Sequence, residues 1–147
     1  MKIAIIASSF NKHITDGLIE GALICYETNY DKKFNLKHIY KVPGAFEIPS
    51  CVNQLLVNSK TKFDAIVTLG CVIKGETAHF EYISQSVTEQ IMCLSLNSKN
   101  IPILYGVLTT YNYQQALDRT KSDKSNKGYE VMESAVEMIN QFSNLDK

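Results

Sequence analysis

Four apolar runs rich in β-branched residues recur along the chain, and each is followed by a segment with helical periodicity. The runs cover residues 2–8, 34–42, 63–73 and 101–110. The third, FDAIVTLGCVI, is almost continuously apolar, as parallel strands buried on both faces tend to be. Strands that alternate with helices in this way favour a parallel sheet with helices packed on both of its faces. We therefore predict a three-layer α/β/α sandwich with four parallel strands and right-handed crossovers.

Helical periodicity is clearest after the first strand and near the end of the chain. The first helix is indicated by apolar residues spaced three and four apart: Ile14, Leu18, Ala22 and Cys25. Residues 49–58 predict a second helix, with Pro49 tolerated in its first turn. The apolar faces of the third and last helices comprise Ile83, Val87, Ile91, Leu94, Met132, Ala135, Val136, Ile139 and Phe142. The sequence predicts a short helix over residues 111–119. The second strand alternates between apolar and polar residues, which suits the edge of a sheet.

Size and charge restrict the classes of partner. The chain has 147 residues and a formal net charge of zero, so we expect one domain, residues 1–147, with no electrostatic attraction to nucleic acid or to an anionic membrane. No apolar run approaches the length of a membrane span, and the first run is a strand and not a signal peptide. The four cysteines show no CxxC pair and no zinc-site spacing. We expect a soluble cytoplasmic protein without a metal site.

Polar and aromatic residues gather after each predicted strand. Ligands of open parallel sheets bind beyond the carboxyl ends of the strands, so these residues are the candidates for a site. They are Phe10 and Asn11 after the first strand, Ala45, Phe46 and Glu47 after the second, Gly75, Glu76, Thr77 and His79 after the third, and Arg119 and Lys127 beyond the fourth.

Each of these signals also has an ordinary structural explanation. Loops are polar in any protein, Gly75 suits a tight turn, and Thr77 suits a helix cap. His79, at a helix N-terminus that could hold a phosphate, is either an acid–base group or an exposed side chain with no role. Arg119 begins either a solvated basic loop or a bidentate phosphate site. The dinucleotide and nucleoside-triphosphate glycine motifs are absent from the sequence, which leaves a small anionic ligand.

Six segments that occur in a fixed order along the chain indicate a more specific function. They are SSFN, VPGAFEIP, LGCVIKGETAHFEYIS, ILYGVLTT, an arginine after the next short helix, and NKGYE. Together they resemble the 6,7-dimethyl-8-ribityllumazine synthase family over nearly the whole chain. The resemblance implies a flavodoxin-like fold and an enzyme of riboflavin biosynthesis. An enzyme of this family joins 5-amino-6-(D-ribitylamino)uracil to 3,4-dihydroxy-2-butanone 4-phosphate and releases phosphate and water, with no metal or organic cofactor.

The resemblance also implies roles for individual residues. It has Phe10 stack on the pyrimidine ring beside Asn11, and the GAFE segment hold the ribityl chain. The substrate-binding positions it implies are Phe10, Asn11, Ala45, Phe46, Glu47, Val72, Ile73, Glu76, Thr77, Tyr105, Arg119 and Lys127. Glu76, Thr77 and Arg119 bind phosphate in this scheme, and His79 is the catalytic proton shuttle. Tyr105 stands where phenylalanine is common in the family.

Members of this family form homopentamers whose sites lie between subunits, and the resemblance assigns Arg119 and Lys127 to the neighbouring subunit. It leaves open whether pentamers assemble further into an icosahedral shell of sixty subunits. Three alternatives also remain open from the sequence: a riboflavin synthase of the archaeal type, a flavin- or lumazine-binding carrier or shell protein without catalytic activity, and a generic flavodoxin-like binding module. The first would form riboflavin from the lumazine, and the second would bind the product without forming it.

Overall fold

The computed structural model describes residues 1–30 and 32–145. In these ranges the strands are β1 (Ile3–Ser8), β2 (Ile39–Val42), β3 (Ala65–Ile73) and β4 (Ile103–Thr110). The helices are α1 (Lys12–Tyr30), α2 (Ile48–Asn58), α3 (His79–Asn97), α4 (Tyr113–Leu117) and α5 (Lys127–Leu145). Single 3₁₀ turns occupy Leu36–His38, Ala45–Glu47 and Asp118–Thr120.

All strand pairs are parallel, and the strand order across the sheet is β2-β1-β3-β4. The two central strands β1 and β3 are almost entirely buried, which explains why their sequences are apolar without alternation. Helices α1, α4 and α5 cover one face of the sheet, and α2 and α3 cover the other. The fold is therefore a flavodoxin-like three-layer sandwich, and the predicted fold class is confirmed.

The second strand is shorter than the sequence predicted. Only Ile39–Val42 pairs with β1, and the predicted start at residue 34 was wrong. The side chain of Asn35 accepts a hydrogen bond from the backbone N–H of Lys37 over 3.1 Å and caps a 3₁₀ turn there, because an asparagine side chain can replace a ladder partner. The apolar signal of Phe34 instead comes from its burial against Tyr26, with ring centroids 5.1 Å apart.

The other element boundaries agree with the sequence to within about two residues, apart from the helix predicted for residues 111–119. That segment divides into α4 and a 3₁₀ turn that carries Arg119. Asn112 starts α4 by accepting a hydrogen bond from the backbone N–H of Gln115 over 2.9 Å. Within the described ranges, no helix is both long enough and apolar enough to cross a membrane.

Candidate active site

A cavity of about 680 Å³ lies at the carboxyl ends of β1, β2 and β3, on the α2/α3 side of the sheet. This volume lies in the range of cavities that bind small molecules. Ten of the residues predicted for the site line it: Phe10, Asn11, Ala45, Phe46, Glu47, Val72, Ile73, Gly75, Thr77 and His79. The structure therefore brings together residues that are up to about seventy positions apart in the chain.

Phe10 stands on the segment between β1 and α1 and is held by its backbone. The N–H groups of Ser9 and Phe10 donate to the carbonyls of Val42 and Pro43, over 2.7 and 2.9 Å. The residue as a whole is 71% exposed. An exposed ring on a fixed backbone at the mouth of a cavity offers a flat face on which a planar ligand can stack.

The turn after β2 carries the next group of lining residues. The N–H of Gly44 donates to Oε2 of Glu47 over 2.9 Å, which closes the 3₁₀ turn Ala45–Glu47. Ala45 is buried, whereas Phe46 is 59% exposed and Glu47 is exposed. A carboxylate can accept several hydrogen bonds, so Glu47 keeps capacity for hydroxyl groups of a ligand while it shapes the turn.

His79 is the first residue of α3, and its side chain is exposed in the cavity wall. Its backbone N–H lies 3.4 Å from Oγ1 of Thr77, which accepts from it. The N–H groups of a first helical turn have no acceptor within the helix, so this end of α3 can bind an anion. An imidazole and an anion-binding helix terminus thus share one wall of the cavity.

Gly75 does not carry the backbone role that the sequence suggested. A Cβ atom built at this position meets no atom within 4 Å, and its φ angle is not positive. The turn from β3 into α3 therefore does not require glycine within this chain. Glu76 lies in the same exposed loop but is not among the cavity-lining residues.

Tyr105, Arg119 and Lys127 do not line the cavity. The hydroxyl of Tyr105 lies 2.7 Å from Oγ1 of Thr88 on α3, so it is engaged in a contact between β4 and α3. An Arg119 guanidinium nitrogen donates to the carbonyl of Gln115 over 2.7 Å. The turn that carries Arg119 packs against α1, on the opposite face of the sheet.

The ammonium group of Lys127 pairs with Oε2 of Glu130 over 2.7 Å. It belongs to α5, which lies in the same layer as Arg119. Both cations are exposed or half-buried and are engaged by weak, local partners, so a phosphate or a carbonyl oxygen could displace those partners at little cost.

Cavity-lining residues that the candidate list lacked include Cys71, Phe80 and Ile83. Their apolar side chains follow the core pattern of β3 and α3, and no feature of the sequence separates them from the core. Burial raises the pKa of the Cys71 thiol to about 11, so this cysteine is protonated near neutral pH and is not an activated nucleophile. In the part of the chain that the structure describes, no three His, Cys, Asp or Glu side chains form a metal-binding group.

The flavodoxin-like sheet has a cavity at its strand ends, and that cavity contains an exposed aromatic ring, an imidazole and a helix terminus that can bind an anion. These features define a protein that binds a small molecule and is suited to acid–base chemistry. Residues 1–143 match the family model for 6,7-dimethyl-8-ribityllumazine synthase. The chain belongs to this family.

Two relatives illustrate the similarity, and both are named 6,7-dimethyl-8-ribityllumazine synthase. The protein of Campylobacter jejuni subsp. doylei is 47% identical over 139 residues, which cover 95% of this chain and 88% of the relative. The protein of Sulfurimonas denitrificans is 39% identical over 144 residues, which cover 98% of this chain and 91% of the relative.

Proposed function

We propose that this protein is a transferase that forms 6,7-dimethyl-8-ribityllumazine. It condenses 5-amino-6-(D-ribitylamino)uracil with 3,4-dihydroxy-2-butanone 4-phosphate and releases phosphate and water, the penultimate step of riboflavin biosynthesis. The observation that carries this proposal is the convergence of Phe10, Glu47 and His79 on one cavity in a chain of this family.

On the pyrimidine side, the ring of the ribitylaminouracil stacks on Phe10. The backbone of Val72 and Ile73 and the side chain of Asn11 lie alongside it in the cavity wall. The ribityl hydroxyls donate to Glu47 and pack against Ala45 and Phe46. This arrangement holds the attacking amine in a fixed orientation, which is where a cofactor-free condensation gains most of its rate.

On the phosphate side, the loop with Glu76 and Thr77 and the N-terminus of α3 receive the phosphate. The amine attacks the ketone of the butanone phosphate and loses water to give an imine, phosphate is eliminated, and the second amine closes the ring with loss of a second water. His79 transfers protons in these steps, since a neutral imidazole serves as base and its protonated form as acid.

Arg119 and Lys127 enter the site from a neighbouring subunit, in a homopentamer of the single domain 1–147 located in the cytoplasm. Their position in the α1/α5 layer, away from the cavity of their own chain, supports this proposal. Arg119 then binds the phosphate and Lys127 a pyrimidine oxygen. Sedimentation distinguishes one chain, five chains and a sixty-subunit shell by mass.

The test is the rate of lumazine formation by the purified protein, compared with the rate of the uncatalysed condensation. We expect acceleration by the wild type, and a loss of about 10²-fold in kcat for His79→Gln. His38→Gln is the matched control, because His38 packs against Phe63 with ring centroids 5.1 Å apart and does not line the cavity. Arg119→Ala should abolish most of the acceleration.

Other outcomes would identify a different function. Tight binding of the lumazine without acceleration would indicate a carrier or shell protein. Conversion of two lumazine molecules into riboflavin would indicate a riboflavin synthase. Either result would overturn the proposal.

A further inference from the structure

Lys74 lies between the cavity-lining residues Ile73 and Gly75, and it contacts the end of β4, α3 and Tyr111. Its backbone N–H donates to the carbonyl of Thr110 at the end of β4, over 2.9 Å. Its ammonium group lies 2.9 Å from Oε1 of Glu81 in the first turn of α3. The same nitrogen lies 5.9 Å from the ring centroid of Phe80 and 5.8 Å from that of Tyr111, distances at which a cation is attracted to an aromatic face.

These contacts close the loop that leads from β3 to α3. The loop, residues 75–78, begins directly after Lys74, and Glu81 follows His79 by two residues. The hydrogen bond and charge of Glu81 raise the pKa of Lys74, and those of Lys74 lower the pKa of Glu81. Both groups therefore stay charged across the neutral range. Lys74 holds one end of the loop through its backbone N–H and the other end through the ion pair of its ammonium group with Glu81, which we call the clip.

We infer that Lys74 is a positioning residue, and that its ammonium group holds the loop 75–78 and the first turn of α3 in the geometry that receives the phosphate of the substrate. This inference rests on the proposed function for the identity of that substrate. A loop that is ordered before binding spares the ligand the cost of ordering it. Loss of the clip should therefore weaken binding of the phosphate substrate, while the pyrimidine subsite on Phe10 and Glu47 stays intact.

A direct role for Lys74, as a cation that binds the phosphate itself, makes a different prediction for its partner. Removal of the negative charge of Glu81 would then free the ammonium group and improve phosphate binding. Under the positioning role, the same change breaks the clip and weakens phosphate binding. The sign of the effect of Glu81→Gln separates the two.

The experiment compares Lys74→Met, Glu81→Gln, the double variant and Lys74→Arg with the wild type, using the full chain in its native assembly. We expect the KM for butanone phosphate to rise about five-fold in Lys74→Met and about two-fold in Glu81→Gln, which keeps the aromatic contacts. The double variant should have the same KM for butanone phosphate as Lys74→Met, because the two changes remove one interaction. The KM for the pyrimidine should not change in any of these variants. Lys74→Arg should keep a KM for butanone phosphate close to that of the wild type.

Lys60→Met is the matched control, since Lys60 is an exposed lysine that follows α2 and does not line the cavity. Hydrogen–deuterium exchange of residues 75–80 gives a readout that does not depend on activity. Exchange there should be faster in Lys74→Met and unchanged in Lys60→Met.

Unchanged exchange in Lys74→Met would overturn the inference, and so would a lower KM for the phosphate substrate in Glu81→Gln. A wild type that fails to accelerate the reaction would instead refute the proposed function, while the exchange data would still decide whether Lys74 orders the loop.

Discussion

The side-chain amide of Asn11 donates a hydrogen bond to the carbonyl of Cys71, with 3.0 Å between Nδ2 and the oxygen. Asn11 follows β1 and adopts a positive φ of 56°, whereas Cys71 lies in β3. This bond ties together the two strand ends that frame the cavity, and it fixes the segment that exposes Phe10. Asn11 thus has a structural task in addition to its place in the cavity wall.

Two substitutions separate the contribution of the Asn11 hydrogen bond from that of its backbone conformation. Asn11→Gly keeps the positive φ but loses the hydrogen bond, which should cost about 1 kcal/mol in the free energy of unfolding. Asn11→Ala loses the bond and also strains the backbone, which should cost roughly 1–2 kcal/mol more. Urea denaturation measures both. Equal losses would mean that the backbone conformation contributes nothing.

The NKG segment is explained largely by how α5 docks on α1. Asn126 is 2% exposed, and its amide nitrogen donates to the carbonyls of Gly17 and Lys121 over 3.0 and 3.1 Å. Its oxygen accepts from the N–H of Gly128 over 2.8 Å. A Cβ atom on Gly128 would lie 1.8 Å from the carbonyl oxygen of Leu18. The two residues that flank Lys127 therefore fix the position from which its side chain projects.

Gly128→Ala should destabilise the protein by about 3 kcal/mol, because the backbone of α1 cannot make room for the added methyl group. Helix propensity alone predicts the opposite, since alanine in a helix is favoured over glycine by about 1 kcal/mol. The matched control is Gly75→Ala, where the added methyl group meets nothing within 4 Å. Thermal unfolding of the two variants should differ clearly, and equal melting temperatures would contradict the close approach of α5 to α1.

Tyr105→Phe tests whether the tyrosine hydroxyl has a structural role. The hydroxyl contacts Thr88, whose own hydroxyl donates to the carbonyl of Ser84 over 2.7 Å. We expect a loss of about 1 kcal/mol in the free energy of unfolding and an unchanged kcat. Thr88→Val is the companion variant and should not add to the loss in a double variant. A large fall in kcat for Tyr105→Phe would show that the hydroxyl acts on the substrate.

Asp16 gives the stability a dependence on acid pH. It is paired with Lys12 and lies 3.0 Å from Nζ of Lys41, and the hydrogen bond from Lys12 is the largest effect that lowers the pKa of Asp16 below its ordinary value. Because the folded pKa lies below the unfolded one, the contribution is present above about pH 4 and is lost as the pH falls through the folded pKa. The Asp16 side chain is 43% exposed, so solvent screening limits the contribution to less than about 1 kcal/mol.

The measurement for Asp16 is urea denaturation of the wild type and Asp16→Asn as a function of pH. The variant should be less stable at pH 7, and the difference should shrink below pH 4 and in high salt. A difference that stays constant from pH 7 to pH 2 would mean that ionisation of Asp16 does not contribute.

The layer architecture could be predicted because the signals that encode it are local. Continuous apolar character of β1 and β3 reports burial on both faces, and the spacing of Ile14, Leu18 and Ala22 reports one face of α1. The start of β2 could not be predicted, because Phe34 is apolar for a reason that lies in α1 and not in the sheet. An apolar residue signals burial but does not say which element buries it.

The sequence by itself determined the strand-and-helix order, the family and the polar segments at the strand ends. Only the tertiary structure decided which of those residues share a cavity, since Phe10, Glu47 and His79 meet through crossovers that no local pattern records. It also decided that Tyr105, Arg119 and Lys127 point elsewhere in their own chain, and that Gly128 is required where Gly75 is not. The physical reason is that periodicity fixes a side chain relative to its own element, whereas a site depends on distances between elements that packing alone sets.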